Sequence, residues 1–300
     1  MSSFFQNPRR WSDLSKSFLS IQLSCFVFSF PPVSWNGKRF GQELIFAIPG
    51  VLKGKCYTAM IVMLKNLVCL DWDHTVADGN TDLVVQRLAP DKKDLPKFKA
   101  GNTWTDYMQS VFNCLHGFGI AENDYRECLG SIPLVHGMDR LLQKLGSMKD
   151  KWEVIVISDS NVWFIETMLA HYGLRHTVDH IFSNPARFGP DGSLQIEYYH
   201  KNDWCEYSSK NLCKGQILES YLKDRLAQDG IRMRQILYLG DGKNDFCPGM
   251  KLPTARDVLL VRKGWKLENI LTSDAPWSSS LIKAKVQYWN TADDILPLIQ

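Results

Sequence analysis

The chain of 300 residues lacks a repeat at any fixed period, a low-complexity tract and an apolar run long enough to cross a bilayer. Its best candidate for such a run, residues 18–30, is interrupted by four polar side chains. A membrane-spanning helix needs about 20 apolar residues, so no stable membrane span is expected. With 45% hydrophobic residues, the chain can bury one large core or two modest ones.

The eight cysteines include no CxxC pair, and Cys69 lies inside a predicted buried strand. A disulfide framework is therefore not expected, which favours a reducing compartment such as the cytoplasm. A zinc site built from Cys205, Cys213 and His200 is conceivable, but the spacing fits no common zinc finger. The cysteine pattern thus argues against a structural zinc.

The net charge is only +3, and the charged residues are unevenly distributed along the chain. Residues 1–65 hold eight lysines and arginines against two acidic residues. The remainder therefore carries 27 basic and 30 acidic residues. A slightly acidic remainder argues against a nucleic-acid partner.

Residues 1–65 also differ in composition, being rich in serine, phenylalanine, proline and basic side chains. Two interpretations stay open: a disordered or non-functional extension, or a leader that targets an organelle or secretion. Against a signal peptide, no A-x-A-like cleavage site follows residues 18–30, and two prolines come directly after them. The folded domain is expected to begin after Met60 or Met63.

Beyond the leader, short β-branched or apolar runs alternate with helical patterns. The predicted strands are residues 67–70, 152–157, 235–239, 257–261 and 285–289, with a short strand and a hairpin within 181–199. Fully apolar strands are buried on both faces, as in parallel sheets. Their alternation with helices predicts an α/β fold with a doubly wound, mostly parallel, Rossmann-like sheet. A last helix is expected after residue 289.

Residues 91–132 carry helical patterns and no strand signal. Apolar side chains recur there at three- and four-residue steps, as between Trp104 and Leu115. Helices that simply pack on the sheet are one interpretation, and a small helical cap domain is the favoured one. The predicted core then comprises residues 66–90 and 133–300.

Polar residues follow several predicted core strands at the point where each strand ends. Asp71 and Asp73 follow the first, and Ser158 follows the second. Asp241 and Asp245 follow the strand at 235–239. Each signal alone is commonly a cap or a turn, but their order and placement at one sheet edge predict a ligand site.

Paired aspartates at a strand end suit phosphoryl transfer with a divalent cation. Asp71 is the candidate carboxylate nucleophile, and Asp73 is placed to exchange a proton as a general acid and base. Mg²⁺ held by Asp71, Asp241 and the backbone carbonyl of Asp73 would offset the repulsion between nucleophile and phosphate. Asp245 is expected to support this site from one turn away.

Three further residues are candidates for binding the remaining phosphoryl oxygens. Thr75 and Ser158 offer hydroxyl groups, and Lys214 offers an ammonium group. Donors and positive charge of this kind stabilise the equatorial oxygens of an in-line phosphoryl transfer.

The order of these motifs resembles that of the haloacid dehalogenase-like phosphohydrolases. The chain is most similar there to the phosphoethanolamine/phosphocholine phosphatase family and its pyridoxal phosphate phosphatase-like branch. The stretches that carry the resemblance, over about residues 66 to 290, are DWDHTVADGNTD, APDKKDLP, ISDSNVWFIE, FSNPARF, NLCKGQIL, YLGDGKNDFCP and VRKG. ISDSN, APDKK and NLCK look more like the pyridoxal phosphate branch.

The resemblance implies a Mg²⁺-dependent phosphomonoester hydrolase that acts on a small metabolite through an aspartyl-phosphate. It implies Asp71 as the nucleophile, Asp73 as the acid/base, and Mg²⁺ bound through Asp71, Asp73 and Asp241. It also implies that Asp82 and Asp159 face a cationic substrate head group. A local interpretation would make Asp82 a first-turn helix acid and Asp159 a cap residue.

The chain departs from the family pattern at three positions. His74 stands where relatives have other polar residues, Lys243 replaces a small residue, and Ser208 replaces a cysteine that relatives carry before Lys214. The expected substrates are pyridoxal 5′-phosphate, or phosphoethanolamine and phosphocholine. Alternatives are a phosphoserine or pyrophosphate phosphatase, or a non-catalytic binding protein. The oligomeric state is not predicted.

Overall fold

The computed structural model describes residues 33–35, 38–40, 44–46, 61–273 and 279–300. The chain divides into two compact units, residues 1–61 and 62–300. The first unit contains three short strands: β1 (Val33–Trp35), β2 (Lys38–Phe40), which pairs antiparallel with β1, and β3 (Leu44–Phe46). The rest of the predicted leader, up to residue 60, lies outside the described residues.

A parallel sheet forms the centre of the second unit. Its strands, with the β7–β8 hairpin, are β4 (Ile61–Leu70), β5 (Trp152–Asn161), β6 (His180–Asn184), β7 (Ala186–Phe188), β8 (Leu194–Ile196), β9 (Ile231–Gly240), β10 (Val258–Arg262) and β11 (Lys285–Trp289). The order is β11-β10-β9-β4-β5-β6, and every one of these neighbours is parallel. The predicted doubly wound α/β fold is confirmed.

Helices connect the strands. They are α1 (Thr81–Val85), α2 (Trp104–Gly117), α3 (Glu122–Gly130), α4 (Met138–Gly146), α5 (Val162–His171), α6 (Lys214–Asp229), α7 (Phe246–Lys251) and α8 (Lys266–Thr272). In the described part of the chain, none of them is long and apolar enough to span a membrane.

The strands alternate their side chains between two hydrophobic cores, one on each face of the sheet. In β4, Leu67 and Cys69 face one core, whereas Val68 and Leu70 face the other. The first core also receives Ile155, Ile157, Ile236, Tyr238, Leu259 and Val261, and the second receives Val154, Val156, Leu237, Leu239, Val258 and Leu260. Burial on both faces explains why these strands are apolar throughout.

Between β4 and β5 the described chain contains helices and no named strand. Thr103 caps α2 in a capping box with Asp106, and α2 buries the apolar positions that the sequence pattern marked. Gln109 on α2 joins the β7–β8 hairpin, donating to Leu194 O at 3.2 Å and accepting from Ile196 N at 2.8 Å. The hairpin thus packs on the helical segment, while the division into core and cap stays a prediction.

The C-terminal segment corrects one prediction. Instead of a last helix after β11, the chain forms two 3₁₀ turns, Ala292–Asp294 and Leu296–Leu298. Pro297 offers no N–H to extend a helix. Asp294 instead accepts from the backbone N–H groups of Asn290 and Thr291, which closes the first turn.

Candidate active site

The carboxyl ends of three adjacent strands, β9, β4 and β5, meet at the centre of one sheet edge. Leu70 in β4 lies beside Leu239 in β9 and Val156 in β5. The chain leaves β4 toward β5 on one side and returns to β9 on the other. In open parallel sheets, ligands bind where the strand order reverses in this way, and Asp71 and Asp241 follow the two strands at that point.

Lys214 lies at the centre of the site. Its Nζ is 2.6 Å from Asp71 Oδ2 and 2.8 Å from Asp245 Oδ1, and its side chain is 0% exposed. It is the first residue of α6, which is anchored by the buried Ile217 and Leu218. Burial alone would lower the pKa of this ammonium group, but the charges of Asp245 and Asp71 outweigh burial and hold that pKa well above its ordinary value.

Asp245 uses both of its carboxylate oxygens to hold the site together. Oδ1 accepts from Lys214 Nζ and from Tyr238 OH, each at 2.8 Å. Oδ2 accepts from the backbone N–H groups of Asp241 at 3.1 Å and Gly242 at 2.9 Å. Four donors satisfy the carboxylate, so Asp245 fixes both the lysine and the turn that carries Asp241.

Asp71, Asp241 and Asp245 bring carboxylate oxygens within 4.8 Å of one another. Burial, and next the charge of Asp245, raise the pKa of Asp241 to about 7; the same two causes raise the pKa of Asp71 well above its ordinary value. The single ammonium of Lys214 cannot neutralise three carboxylates. Hard oxygen donors with surplus negative charge are the set that suits Mg²⁺, so the residues fit this ion.

Asp73 accepts hydrogen bonds from Thr81 through both of its carboxylate oxygens. Its Oδ1 accepts from Thr81 N at 3.0 Å, and its Oδ2 accepts from Thr81 Oγ1 at 3.2 Å. The chain turns after Trp72, whose carbonyl accepts from the N–H groups of Val76 and Ala77, and Asp73 lies in this turn.

The environment of Asp73 favours its protonated form. Burial, and next the charge of Asp82, raise its pKa well above the ordinary value, although hydrogen bonds from Thr81 act in the opposite direction. A carboxyl group that keeps its proton toward neutral pH is suited to act as a general acid.

Thr81 was missed in the sequence. Its hydroxyl lies 2.9 Å from Ser160 Oγ as well as against Asp73, so it links the first and second motifs. The sequence did contain a signal for Thr81, because it follows Asn80, a residue type that favours helix N-caps. In the structure Asn80 caps α1 by accepting from Leu83 N at 2.9 Å. The N–H of the next residue is one of the unpaired donors of a helix start, and Asp73 accepts it.

The predicted phosphate-binding hydroxyls lie at the same edge. Thr75 Oγ1 donates to Asp241 Oδ1 at 3.3 Å, and both side chains are buried. Ser158 is buried near the carboxyl end of β5, where its Oγ accepts from Ser160 N at 3.3 Å. Their roles toward phosphate stay predictions.

The two predicted head-group residues differ in their surroundings. Asp159 Oδ2 accepts from Ser209 Oγ at 2.8 Å and from Asn244 Nδ2 at 3.0 Å. Asp82 Oδ2 accepts from Trp104 Nε1 at 2.6 Å, whereas its buried Oδ1 has no partner among the described residues. Burial raises the pKa of Asp82 to about 7.

The turn after Asp73 is held by Arg262 from the end of β10. His74 adopts a left-handed backbone with φ of 58°, and its carbonyl accepts from Arg262. Arg262 Nη2 also lies 2.7 Å from Asp78 Oδ1, and the His74 ring packs on Trp265 at 4.2 Å between centroids. His74 thus supports the turn by packing.

Residues 66–300 match the family described as "Putative Phosphatase". The pyridoxal phosphate phosphatase of Mus musculus is 34% identical over 242 residues, which cover 79% of this chain and 98% of that protein. The chain belongs to this phosphatase family. The human phosphoethanolamine/phosphocholine phosphatase is 35% identical over 236 residues, covering 76% of the chain and 86% of that protein.

Solved structures agree on the fold of this phosphatase family member. A substrate-bound phosphoserine phosphatase complex superposes with a TM-score of 0.51 at 16% identity, covering 79% of this chain and 99% of that chain. A phospho-aspartyl intermediate analogue of phosphoserine phosphatase gives a TM-score of 0.50 at 17% identity, with the same coverage. The predicted relationship to the phosphoethanolamine/phosphocholine phosphatases and the pyridoxal phosphate phosphatases is confirmed, and the chain is a phosphoric monoester hydrolase.

Gly240→Ala is expected to lower phosphatase activity about 100-fold, measured as kcat/KM with a chromogenic phosphomonoester. The added Cβ would lie 2.4 Å from Asp245 Cγ, so the carboxylate that holds Lys214 and the Asp241 turn must shift. Displacements of about 1 Å at catalytic groups cost roughly this much.

Gly117→Ala is the matched control, since its Cβ would meet nothing within 4 Å at the end of α2. Equal activity of Gly240→Ala and Gly117→Ala would show that Asp245 does not position the site.

Proposed function

We propose that this protein is a Mg²⁺-dependent phosphomonoester hydrolase that acts on a small phosphorylated metabolite through a covalent aspartyl-phosphate. The observation that carries the proposal is the buried set formed by Asp71, Lys214, Asp245 and Asp241 at the sheet edge. A nucleophilic carboxylate beside a permanent cation and a group of oxygen donors is the equipment that phosphoryl transfer requires.

The Mg²⁺ ion is assigned to Asp71, Asp241 and the backbone carbonyl of Asp73, with Asp245 in support. Burial, and next the charge of Asp245, raise the pKa values of Asp71 and Asp241, and a bound cation would favour their ionised forms. When bound, the ion supplies the positive charge that lets an anionic phosphate approach a carboxylate.

In the first step, the Asp71 carboxylate attacks the phosphorus and the ester P–O bond breaks. Asp73 gives its proton to the departing oxygen, which leaves as an alcohol. Thr75, Ser158 and Lys214 bind the phosphoryl oxygens; the Lys214 ammonium also keeps Asp71 oriented through its 2.6 Å contact.

In the second step, Asp73 takes a proton from water and the oxygen of that water attacks the phosphorus of the aspartyl-phosphate. The bond between Asp71 and phosphorus breaks, releasing phosphate and restoring the carboxylate. Asp73 again holds the proton, as its raised pKa favours. The hydrogen bonds from Thr81 keep the same carboxyl group in place for both transfers.

The proposed substrates share a phosphomonoester and a cationic nitrogen: pyridoxal 5′-phosphate with its pyridinium, or phosphoethanolamine and phosphocholine with their ammonium groups. Relatives named for these substrates are equally similar to this chain, at 34% and 35% identity. The unpartnered Asp82 Oδ1 supports a cationic substrate, because a buried carboxylate oxygen gains most from an added positive donor.

The substrate proposal is tested by phosphate release from a panel of pyridoxal 5′-phosphate, phosphoethanolamine, phosphocholine, phosphoserine and pyrophosphate, with Mg²⁺ and with EDTA. Activity is expected on at least one of the first three and is expected to vanish with EDTA. Asp82→Asn should raise KM about tenfold for the preferred cationic substrate, as loss of a charge-assisted contact costs about 1.5 kcal/mol. Because burial raises the pKa of Asp82 to about 7, this carboxyl group carries more negative charge at pH 8 than at pH 6. The increase in KM caused by Asp82→Asn should therefore be larger at pH 8.

Asp139→Asn is the matched control, since it also removes an acid from a helix first turn, in α4. Phosphoserine or pyrophosphate as the preferred substrate, with KM unchanged in Asp82→Asn, would contradict the head-group proposal while leaving the hydrolase intact.

A further inference from the structure

Three cysteines from separate segments of the chain lie close together. Cys205 lies in the loop after β8, Cys213 immediately precedes α6, and Cys247 is in α7. Their sulfur atoms lie within 4.8 Å of one another: Cys205 Sγ is 3.4 Å and Cys213 Sγ is 3.9 Å from Cys247 Sγ. Both distances exceed the roughly 2.05 Å of a disulfide bond, so the cluster consists of free thiols.

A fourth polar atom completes the group. Ser208 Oγ is 3.4 Å from Cys205 Sγ and 3.3 Å from Cys213 Sγ. Four of the six distances among these three sulfurs and one oxygen lie between 3.3 and 3.9 Å, and the Cys205 and Cys213 sulfurs lie within 4.8 Å of each other.

These four distances are close to those that a tetrahedral metal site requires. For a Zn–S bond of about 2.3 Å, the S–S edge of a tetrahedron is about 3.8 Å, and a Zn–O bond of about 2.0 Å makes the S–O edge about 3.5 Å. We propose that Cys205, Cys213 and Cys247 bind a structural Zn²⁺ ion as thiolates. The fourth position, which Ser208 Oγ faces, takes that hydroxyl or a water molecule.

Thiolate ligands select zinc over the hard cation of the active site. Zn²⁺ is bound by sulfur in closed structural sites, whereas Mg²⁺ takes oxygen ligands. The cluster is separate from the carboxylates at the sheet edge, and its ligand set differs in chemistry. The proposal therefore does not depend on the proposed phosphatase mechanism.

The cysteine cluster could not be recognised from the spacing of the cysteines along the chain. The sequence suggested a site formed by Cys205, Cys213 and His200, but the spacing of these residues along the chain argued against it. In the structure, His200 Nε2 accepts from Cys213 N at 2.8 Å, so this nitrogen is used by the backbone. Cys247, 34 residues after Cys213, supplies the third sulfur instead.

The location gives the ion a positioning role. Cys213 is followed directly by Lys214, and Cys247 comes two residues after Asp245. A shared ion therefore ties together the two segments that carry the central ion pair. The approach is close, because a Cβ on Gly215 would lie 2.5 Å from Cys247 Sγ.

The test is the zinc content of the full chain, purified without chelators, measured by inductively coupled plasma mass spectrometry. One zinc per chain is expected, retained when Mg²⁺ is removed. After exchange with Co²⁺, the chain is expected to show thiolate-to-cobalt charge-transfer bands and the intense visible bands of tetrahedral cobalt. This readout is independent of phosphatase activity.

Variants assign the ligands. Cys247→Ser and Cys205→Ser are expected to lower the affinity for zinc. The loss should exceed the roughly 10- to 100-fold that follows when a group hydrogen-bonded to a metal ligand is removed. Ser208→Cys is expected to bind zinc more tightly than the parent chain, since it adds a fourth thiolate. Cys114→Ser and Cys128→Ser are matched controls that should leave zinc unchanged, because both thiols donate to backbone carbonyls elsewhere.

Two outcomes would overturn the proposal. One is a folded chain that takes up neither zinc nor cobalt at one ion per chain, with the cluster thiols all open to titration. The other is a Cys205–Cys247 disulfide found by peptide mass spectrometry in the chain purified without reductant. If the cysteine variants do not fold, Ser208→Cys and the cobalt spectrum of the parent chain decide the question.

Discussion

Asp71→Asn is expected to lower phosphate release by at least about 10³-fold at saturating substrate and Mg²⁺. The amide cannot attack phosphorus, so the covalent route is closed, and losing a catalytic nucleophile commonly costs this much or more. The loss should appear in kcat. Steady-state kinetics with the preferred member of the phosphomonoester panel measures it.

Folding is the control for this variant. Asp71→Asn removes one of three crowded carboxylates, and Lys214 keeps its 2.8 Å contact with Asp245. The melting temperature should therefore stay the same or rise. Activity within about tenfold of the parent chain, with the fold intact, would rule out an aspartyl-phosphate on Asp71.

Lys214→Met is expected to lower the free energy of unfolding by about 3–5 kcal/mol and to abolish measurable turnover. Methionine fills a similar volume, but it leaves the carboxylates of Asp71 and Asp245 buried together without their cation, and breaking a buried ion pair costs this much. Urea unfolding followed by circular dichroism measures the change. Lys210→Met, an exposed lysine of the same loop, is the control and should be close to neutral.

A double variant separates lost charge balance from lost packing. Asp245→Asn keeps an oxygen that can accept from the N–H groups of Asp241 and Gly242, so it removes charge more than structure. Combined with Lys214→Met, it is expected to recover about 1–2 kcal/mol, since contacting residues couple by such amounts. If the loss of unfolding free energy in the double variant equals the sum of the losses in the two single variants, packing and not the buried charges determines the stability of this site.

The sheet was predictable because its residues repeat one physical signal. Strands buried on both faces must be apolar at consecutive positions, as residues 67–70 and 235–239 are. The ends of such strands in a parallel sheet lie at one edge, so the placement of Asp71, Ser158 and Asp241 followed from order alone. The final helix was wrong because apolar spacing after residue 289 suits 3₁₀ turns equally well.

Which side chains pair at the site was less predictable. Asp73 accepts from both the backbone and the hydroxyl of Thr81, a pairing that depends on the turn after Trp72. Trp104, 22 residues after Asp82, binds that carboxylate, although the sequence marked it only as part of an apolar helix face. Such pairings depend on side-chain directions in turns and helices, which hydrophobic periodicity does not record.

The sequence by itself determined the parallel sheet, the strand ends that carry the candidate catalytic groups, and the phosphatase motifs in their order. Only the tertiary structure decided what those groups contact: Lys214 between Asp71 and Asp245, Thr75 on Asp241, and Cys247 with two distant cysteines. The physical reason is the separation of the contacting residues along the chain. Burial and strand direction are written locally in residue type, whereas contacts between side chains 31 to 166 positions apart exist only once the sheet and its helices have packed.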